Sequence, residues 1–376
     1  RTVIPAMAET EFGVAQGSVA SLFAFVVSFG LVKGAMNFVS GRLSDSVGRR
    51  KVLIWGWLVA LPIPFVILLA PSWGWIVAAN VLLGINQGFC WSMTVTAKFD
   101  IARADQRGLA TGVNEFAGYG GVAIAGLATG YLASQFDPRT ALFAFGLVVN
   151  LLALAAAILA FAETRPQVAA QAKASAVSAK SIFALVSWKS RDFQALSQAG
   201  SVEKFVDALM WALVPVYLAA QGVALVTIGW ITATYGLVWG ASQLVTGPLS
   251  DKIGRKPPIV AGFAICAAGV AAFPMLSTPL AWAGAAAVTG VGMALLYPNL
   301  IAAVGDLAQP EWRGSALGVY RFWRDLGYAF GALAIGLVAD ASGYLEAGFW
   351  LTAGAMALSG LWLLLALSET HRPERG

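Results

Sequence analysis

Apolar residues run for about twenty positions at a time along this chain, broken by short polar segments. Each run is long enough for a helix to cross the roughly 30 Å hydrocarbon core of a bilayer. The runs fall near 17–40, 52–70, 75–97, 108–134, 140–161, 196–219, 224–246, 258–276, 281–303, 314–340 and 344–368, which predicts eleven complete spanning helices. One long polar connection, 163–195, is rich in Ala, Ser, Gln and Lys and reads as a cytoplasmic linker between an N-terminal half, 1–162, and a C-terminal half, 196–376. Within it, Ser181 to Phe193 mixes Phe183, Leu185, Trp188 and Phe193 with Lys189 and Arg191. That composition suits a short helix lying at the membrane interface, or one packed under the bundle.

The polar breaks repeat. Gly41-Arg-Leu-Ser-Asp-Ser-Val-Gly-Arg-Arg-Lys51 returns as Gly247-Pro-Leu-Ser-Asp-Lys-Ile-Gly-Arg-Lys256, an offset of 206 positions from Asp45 to Asp251. The same offset carries Arg107-Gly108 onto Arg313-Gly314 and Gly112 onto Gly318. Duplicated multi-helix halves related by pseudo-symmetry are how secondary transporters build a midplane site between two rocking bundles. Arg1-Thr-Val-Ile-Pro5 matches Trp211-Ala-Leu-Val-Pro215 near the end of the seventh span, so the expectation is a twelve-span scheme in which only the tail of span one is present. The spans are numbered accordingly, two to twelve.

Composition agrees with this reading. Hydrophobic residues make up 59% and charged residues 11%, against roughly 25% charge in soluble domains. Lys and Arg concentrate in one set of loops, among them Arg42, Arg49, Arg50, Lys51, Arg103, Arg107, Lys189, Lys252, Arg255 and Arg313, while the opposite set holds only Arg139. Positive charge is retained on the cytoplasmic side, so both termini are expected there, in a bacterial inner membrane. The net charge of +5 is then a topology signal that calls for no nucleic-acid partner. Cys90 and Cys266 lie inside apolar spans and the single histidine, His371, lies in the tail, so neither a disulfide, a metal site nor a cofactor is expected. No nucleophile–base set or phosphate-binding Gly-rich loop is visible, which argues against an enzyme and against nucleotide-driven pumping.

The paired G-x-L-S-D-x-x-G-R-R/K loops, between spans two and three and again between eight and nine, resemble the signature of the major facilitator superfamily (MFS), and the resemblance covers essentially the whole chain. It implies an all-α membrane protein of two pseudo-symmetric six-helix bundles, a monomer by family default. It also implies that Gly41, Asp45, Gly48, Arg49 and Arg50, with Asp251, Gly254, Arg255 and Lys256 in the second half, form a gating motif. In the family the loop aspartate and its basic partners make a charge network against span eleven that favours the outward-facing state. The residues themselves allow the same role, since the glycines permit a sharp turn and a carboxylate at Asp45 can meet Arg49 and a helix N-terminus. Simple topology anchoring remains compatible.

Charges inside spans are costly and each is a functional candidate. Asp207 and Glu203 share one face of span seven at i,i+4 and, with Glu115 of span five, are the proton-coupling candidates. Lys204 leaves a static ion pair with Asp207 open as an alternative, and direct substrate contact as another. Arg1, Lys33, Arg321, Arg324 and Asp325 are candidate cavity charges, with Lys33 able to meet Asp325; gating locks and substrate binding are both open roles for them. Gln87 and Trp91 of span four, and Tyr297 and Asn299 of span ten, supply a candidate cavity wall, ordinary helix packing being the alternative. Drug–proton antiporters of the superfamily usually carry a Gly-Pro pair in span five and an arginine in span four; here Gly120-Gly121 and Gly84 stand instead.

The reading is a secondary transporter of small organic molecules, coupled to protons and working by alternating access as an exporter. The alternative is an organic-anion or metabolite transporter that uses the cavity Arg and Lys. A non-transporting membrane sensor that kept the fold is the remote alternative.

Overall fold

The computed structural model describes Phe12 and residues 24–102, 106–164, 178–309 and 312–371. Arg1, the span-one tail and linker residues 165–177 lie outside the described residues, as does the side chain of Asp45.

The first half contributes α1 (Ala24–Val47), α2 (Arg49–Ala60, continued by Pro62–Leu68), α3 (Trp73–Ile101), α4 (Arg107–Gln135) and α5 (Pro138–Leu159), which are spans two to six. A short linker helix α6 (Ala179–Ala184) runs into a π-turn, Leu185–Lys189. The second half contributes α7 (Arg191–Ala208, then a π-turn Leu209–Leu213 and Val214–Ala220), α8 (Leu225–Ile253), α9 (Lys256–Ala272), α10 (Pro279–Leu307), α11 (Arg313–Ser342) and α12 (Glu346–Ala366). The eleven rods match the eleven apolar runs. Among the described residues, nine are long and apolar enough to cross a membrane by length and composition alone. Leu280, Val245, Trp230 and Leu365 are among many large apolar side chains exposed on the outside of the bundle, as a lipid-facing surface requires.

Local chemistry sets the breaks. Pro62 follows a bend at Leu61 in α2, and α5 starts with Pro138 behind Asp137, whose carboxylate accepts from Thr140 N at 2.9 Å. Pro215 has no N–H to offer Trp211, four residues back, and the helix widens there into the π-turn. Pro298 likewise leaves the Ala294 carbonyl without its helical donor, and Thr246 Oγ1 of α8 supplies one at 2.5 Å. Span seven starts at Arg191, earlier than the expected 196, because its first turn is polar (Arg191, Asp192) and carries no apolar signal.

The halves meet along α1 with α11 and along α4 with α8. The approach is close enough that a Cβ on Gly30 would sit 2.7 Å from Tyr328 Cβ, and one on Gly112 would sit 2.5 Å from the Gln243 carbonyl oxygen. The linker helix is wedged against that seam. The Phe183 ring lies 5.8 Å from Phe38 of α1 and 5.7 Å from Phe322 of α11, and Trp323 Nε1 donates to Ser187 Oγ at 2.8 Å.

Candidate functional site

Two sites emerge, one at the motif loops and one about midway along the rods. At the first, α1 ends on Gly48 (φ 99°) and α8 on Gly254 (φ 95°), left-handed conformations that favour glycine. A carboxylate then fills each turn. Glu163 accepts from the backbone N–H groups of Arg49 (3.0 Å) and Arg50 (3.2 Å), and Glu369 from those of Arg255 (2.7 Å) and Lys256 (3.1 Å). The N-termini of α2 and α9 are thereby capped by negative charge. A Cβ on Gly254 would stand 2.6 Å from Glu369 Oε2, so any other residue there would push the glutamate off the helix N-terminus.

The arginine side chains complete the network. Arg49 Nε donates to Asp100 Oδ2 at 3.0 Å and Arg255 Nε to Asp306 Oδ2 at 3.0 Å. Arg49 Nη1 donates to the Ser44 carbonyl at 3.0 Å; Arg255 Nη1 donates to Ser250 Oγ and Asp251 Oδ1, each at 2.6 Å. Thr164 Oγ1 adds a hydrogen bond to Asp100 at 2.7 Å, and the Arg50 guanidinium donates to the Ile158 carbonyl. Burial pushes the Asp100 carboxyl above its ordinary range, opposed by the Thr164 hydrogen bond and the Arg49 charge. Sequence reasoning placed the arginines and missed Asp100, Asp306, Glu163 and Glu369. The signal was there: the 206-residue offset maps Asp100 onto Asp306 and Glu163-Thr164 onto Glu369-Thr370.

The second site is a buried layer of ionised side chains and aromatic rings. From α7, Lys204 Nζ lies 2.7 Å from Asp207 Oδ2 and 3.0 Å from Glu203 Oε1, all three with fully buried side chains. Tyr235 of α8, also missed, donates to Asp207 Oδ1 at 2.7 Å. Of the open alternatives for Asp207, the ion pair with its i,i+3 lysine is the contact formed here. Glu203 has the charge contact but no hydrogen-bond partner among the described residues.

Lys33 of α1 stands 3.5 Å from Asp325 Oδ2, and Asn37 Nδ2 donates to the same oxygen at 2.6 Å. Ser92 Oγ of α3 donates to Asn37 Oδ1 at 2.7 Å and receives Arg321 Nη1 at 3.1 Å. This chain of contacts runs from the first half to the second and back. Glu115 does not pair with Arg321; it accepts from Trp91 Nε1 at 3.0 Å and Asn114 Nδ2 at 2.8 Å within its own half. Arg324 lies over the Tyr297 ring, 4.0 Å from its centroid, and 3.7 Å from Asp325. Lys204 sits over the Trp239, Tyr297 and Tyr328 rings at 4.8–5.3 Å, and Lys33 over those of Phe29, Trp91 and Tyr328 at 5.3–5.4 Å.

Two wall candidates do not join the layer's hydrogen bonds. Gln87 is half-buried and takes no part in the layer's contacts, while its neighbour Asn86 ties α3 to the Gly56 carbonyl of α2 at 3.0 Å. Asn299 turns its amide back to the Leu295 carbonyl at 2.7 Å. Toward the end of the bundle remote from the motif loops, a narrow cleft is lined by Phe25, Val26, Phe29, Asn80 and Trp211. Trp211 stacks on Tyr328 with centroids 5.4 Å apart, and Phe29 packs edge-on to Tyr328 at 5.7 Å. These rings separate the cleft from the charged layer.

The Major Facilitator Superfamily model matches residues 1–203 and 199–376. The chain belongs to this superfamily. An uncharacterized MFS-type transporter of Salmonella typhimurium is 32% identical over 145 residues, 38% of this chain and 36% of that protein. Multidrug resistance protein MdtH of Yersinia enterocolitica is 34% identical over 113 residues, 28% of each chain. The matches thus span about a third of these relatives' lengths. Among solved structures, the proton:xylose symporter XylE superimposes with a TM-score of 0.78 at 16% identity, covering 98% of this chain and 91% of that one. The human organic anion transporter TETRAN does so with 0.75 at 16%, covering 96% and 89%. At that identity the likeness is one of fold: this MFS chain is an all-α, multi-pass integral membrane protein.

Proposed function

We propose that the chain is a proton-coupled secondary transporter of small organic molecules, working by alternating access with its motif loops on the cytoplasmic side of a bacterial inner membrane. The observation that carries the coupling is the triad on α7: one ammonium, Lys204, serves two buried carboxylates, Glu203 and Asp207. The triad sets two buried carboxylates against one ammonium, so within it one carboxylate lacks a counter-charge of its own. Pro215 and the π-turn just beyond Asp207 leave this stretch of span seven with an irregular backbone able to shift as the charge changes. The Asn37–Asp325 and Ser92–Arg321 contacts tie the halves together and have to part when the halves separate. Export as the working direction is supported by the partial match to MdtH.

Proteoliposomes with an imposed pH gradient, offered panels of organic anions, lipophilic cations and neutral metabolites, provide the test. The compound whose flux follows the gradient loses that dependence in Asp207→Asn; a variant that keeps it sinks the coupling assignment.

A further inference from the structure

The strongest unexplained feature of the charged layer is the guanidinium of Arg321. Its residue is 4% exposed, and Nη1 is engaged by Ser92, yet Nε and Nη2 are buried without a hydrogen-bond partner among the described residues. Those two nitrogens form one edge of a planar fork, the edge that grips a carboxylate with two parallel hydrogen bonds. Leaving it empty in a buried site carries the full desolvation penalty of the group. The carboxylates of the layer each have other contacts, Asp325 with Asn37 and Lys33, Glu115 with Trp91 and Asn114, Asp207 with Lys204 and Tyr235, and Glu203 with the Lys204 ammonium. Further donors in the same layer also lack partners, namely Tyr297 Oη and Trp239 Nε1. Acceptors of the layer lack hydrogen-bond partners as well, among them both Glu203 oxygens, Glu115 Oε2 and Asp325 Oδ1, but none of them closes the Nε–Nη2 edge of Arg321, which stays open to a planar acceptor from outside the protein.

A cationic ligand fits poorly. The aromatic faces that would hold one are already covered by Lys33, Lys204 and Arg324. We infer that the transported molecule is a small organic carboxylate, its two oxygens held by Nε and Nη2 of Arg321 and its apolar body lying against the aromatic layer. The inference rests on the transporter reading above, but on Arg321 of span eleven and not on the span-seven triad. Arg321→Lys keeps the charge and removes the fork, which separates geometry from electrostatics.

The test is calorimetric titration of the purified full chain with benzoate, benzamide, phenyl phosphate and tetraphenylphosphonium. Benzoate is expected to bind saturably and the isosteric neutral amide at least about tenfold more weakly, a comparison made on the unmodified protein and so independent of how any variant folds. Arg321→Lys is expected to weaken benzoate by roughly tenfold or more. Absence of saturable benzoate binding, equal binding of benzamide, tighter binding of phenyl phosphate or tetraphenylphosphonium, or benzoate affinity unchanged in Arg321→Lys each overturns the assignment. If benzoate binds through Arg321 while Asp207→Asn keeps gradient-driven flux, the substrate class stands and the coupling reading alone fails.

Discussion

The motif ends of the two halves are near copies, whereas the layers midway along the rods are not. In both halves the arginine after the turning glycine reaches an aspartate 51 residues downstream, and its backbone N–H reaches a glutamate 114 residues downstream. Shift Lys33, Trp91, Glu115 and Tyr119 by the same 206 positions and one arrives at Trp239, Tyr297, Arg321 and Asp325. A carboxylate faces an arginine in the pseudo-symmetry, and a lysine faces a tryptophan. Duplication has been preserved where each half performs the same mechanical task, fastening a helix pair at the membrane surface. It is not preserved in the layer midway along the rods, where the proposed substrate contact lies.

That contrast can be broken experimentally. The largest effect is expected midway along the rods, where Asp207→Asn should reduce gradient-driven flux by about 100-fold, the order lost when a positioned proton carrier is removed, read in proteoliposomes. Next, Arg255→Ala and Arg49→Ala should each destabilise by about 1–3 kcal/mol, because removal takes the charged hydrogen-bond donor from a half-buried carboxylate partner; melting curves in detergent that show one variant unharmed would end the claim of equivalent networks. Gly254→Ala and Gly48→Ala should cost about 1–2 kcal/mol apiece for the left-handed φ, with the neighbouring glutamate adding to it, and again the two should agree. Smallest, Glu369→Gln and Glu163→Gln should lose about 0.3–1 kcal/mol of charge–dipole stabilisation each. Matched pairs at the loops set against unmatched effects at Glu115→Gln and Arg321→Gln would sharpen the distinction, since equal flux defects at those two sites contradict it.

The fold was legible because lipid imposes a simple code: uninterrupted apolar length for each span, arginine and lysine in one set of loops, and the repeated Gly-Arg turn. Span seven was blurred only at its start, where Arg191 and Asp192 open the helix. The candidate sites were legible in part. Ionised residues inside apolar runs identified Lys33, Glu115, Glu203, Lys204, Asp207 and the span-eleven cluster, but residue type alone leaves partners open. Whether Lys204 would neutralise Asp207, and that Tyr235 would reach the same carboxylate, depends on side-chain direction and on a neighbouring helix far along the chain. Asn37 looks like an ordinary small polar residue until α1, α3 and α11 converge. Glu163 and Glu369 sit just past the ends of spans, where polar residues are expected and so attract no notice.

Phe183 belongs to the linker by sequence, yet its ring fills the notch between Phe38 and Phe322, and Ser187 and Val186 are hydrogen-bonded to Trp323 and Ser197 of the second half. The connection is therefore a bolt as well as a tether. A gene split between residues 165 and 177 leaves the bolt attached to the C-terminal polypeptide, and the two co-expressed pieces should reassemble. A split after Lys189 instead hands Phe183 to the wrong piece, so the same two bundles should part more readily and leak.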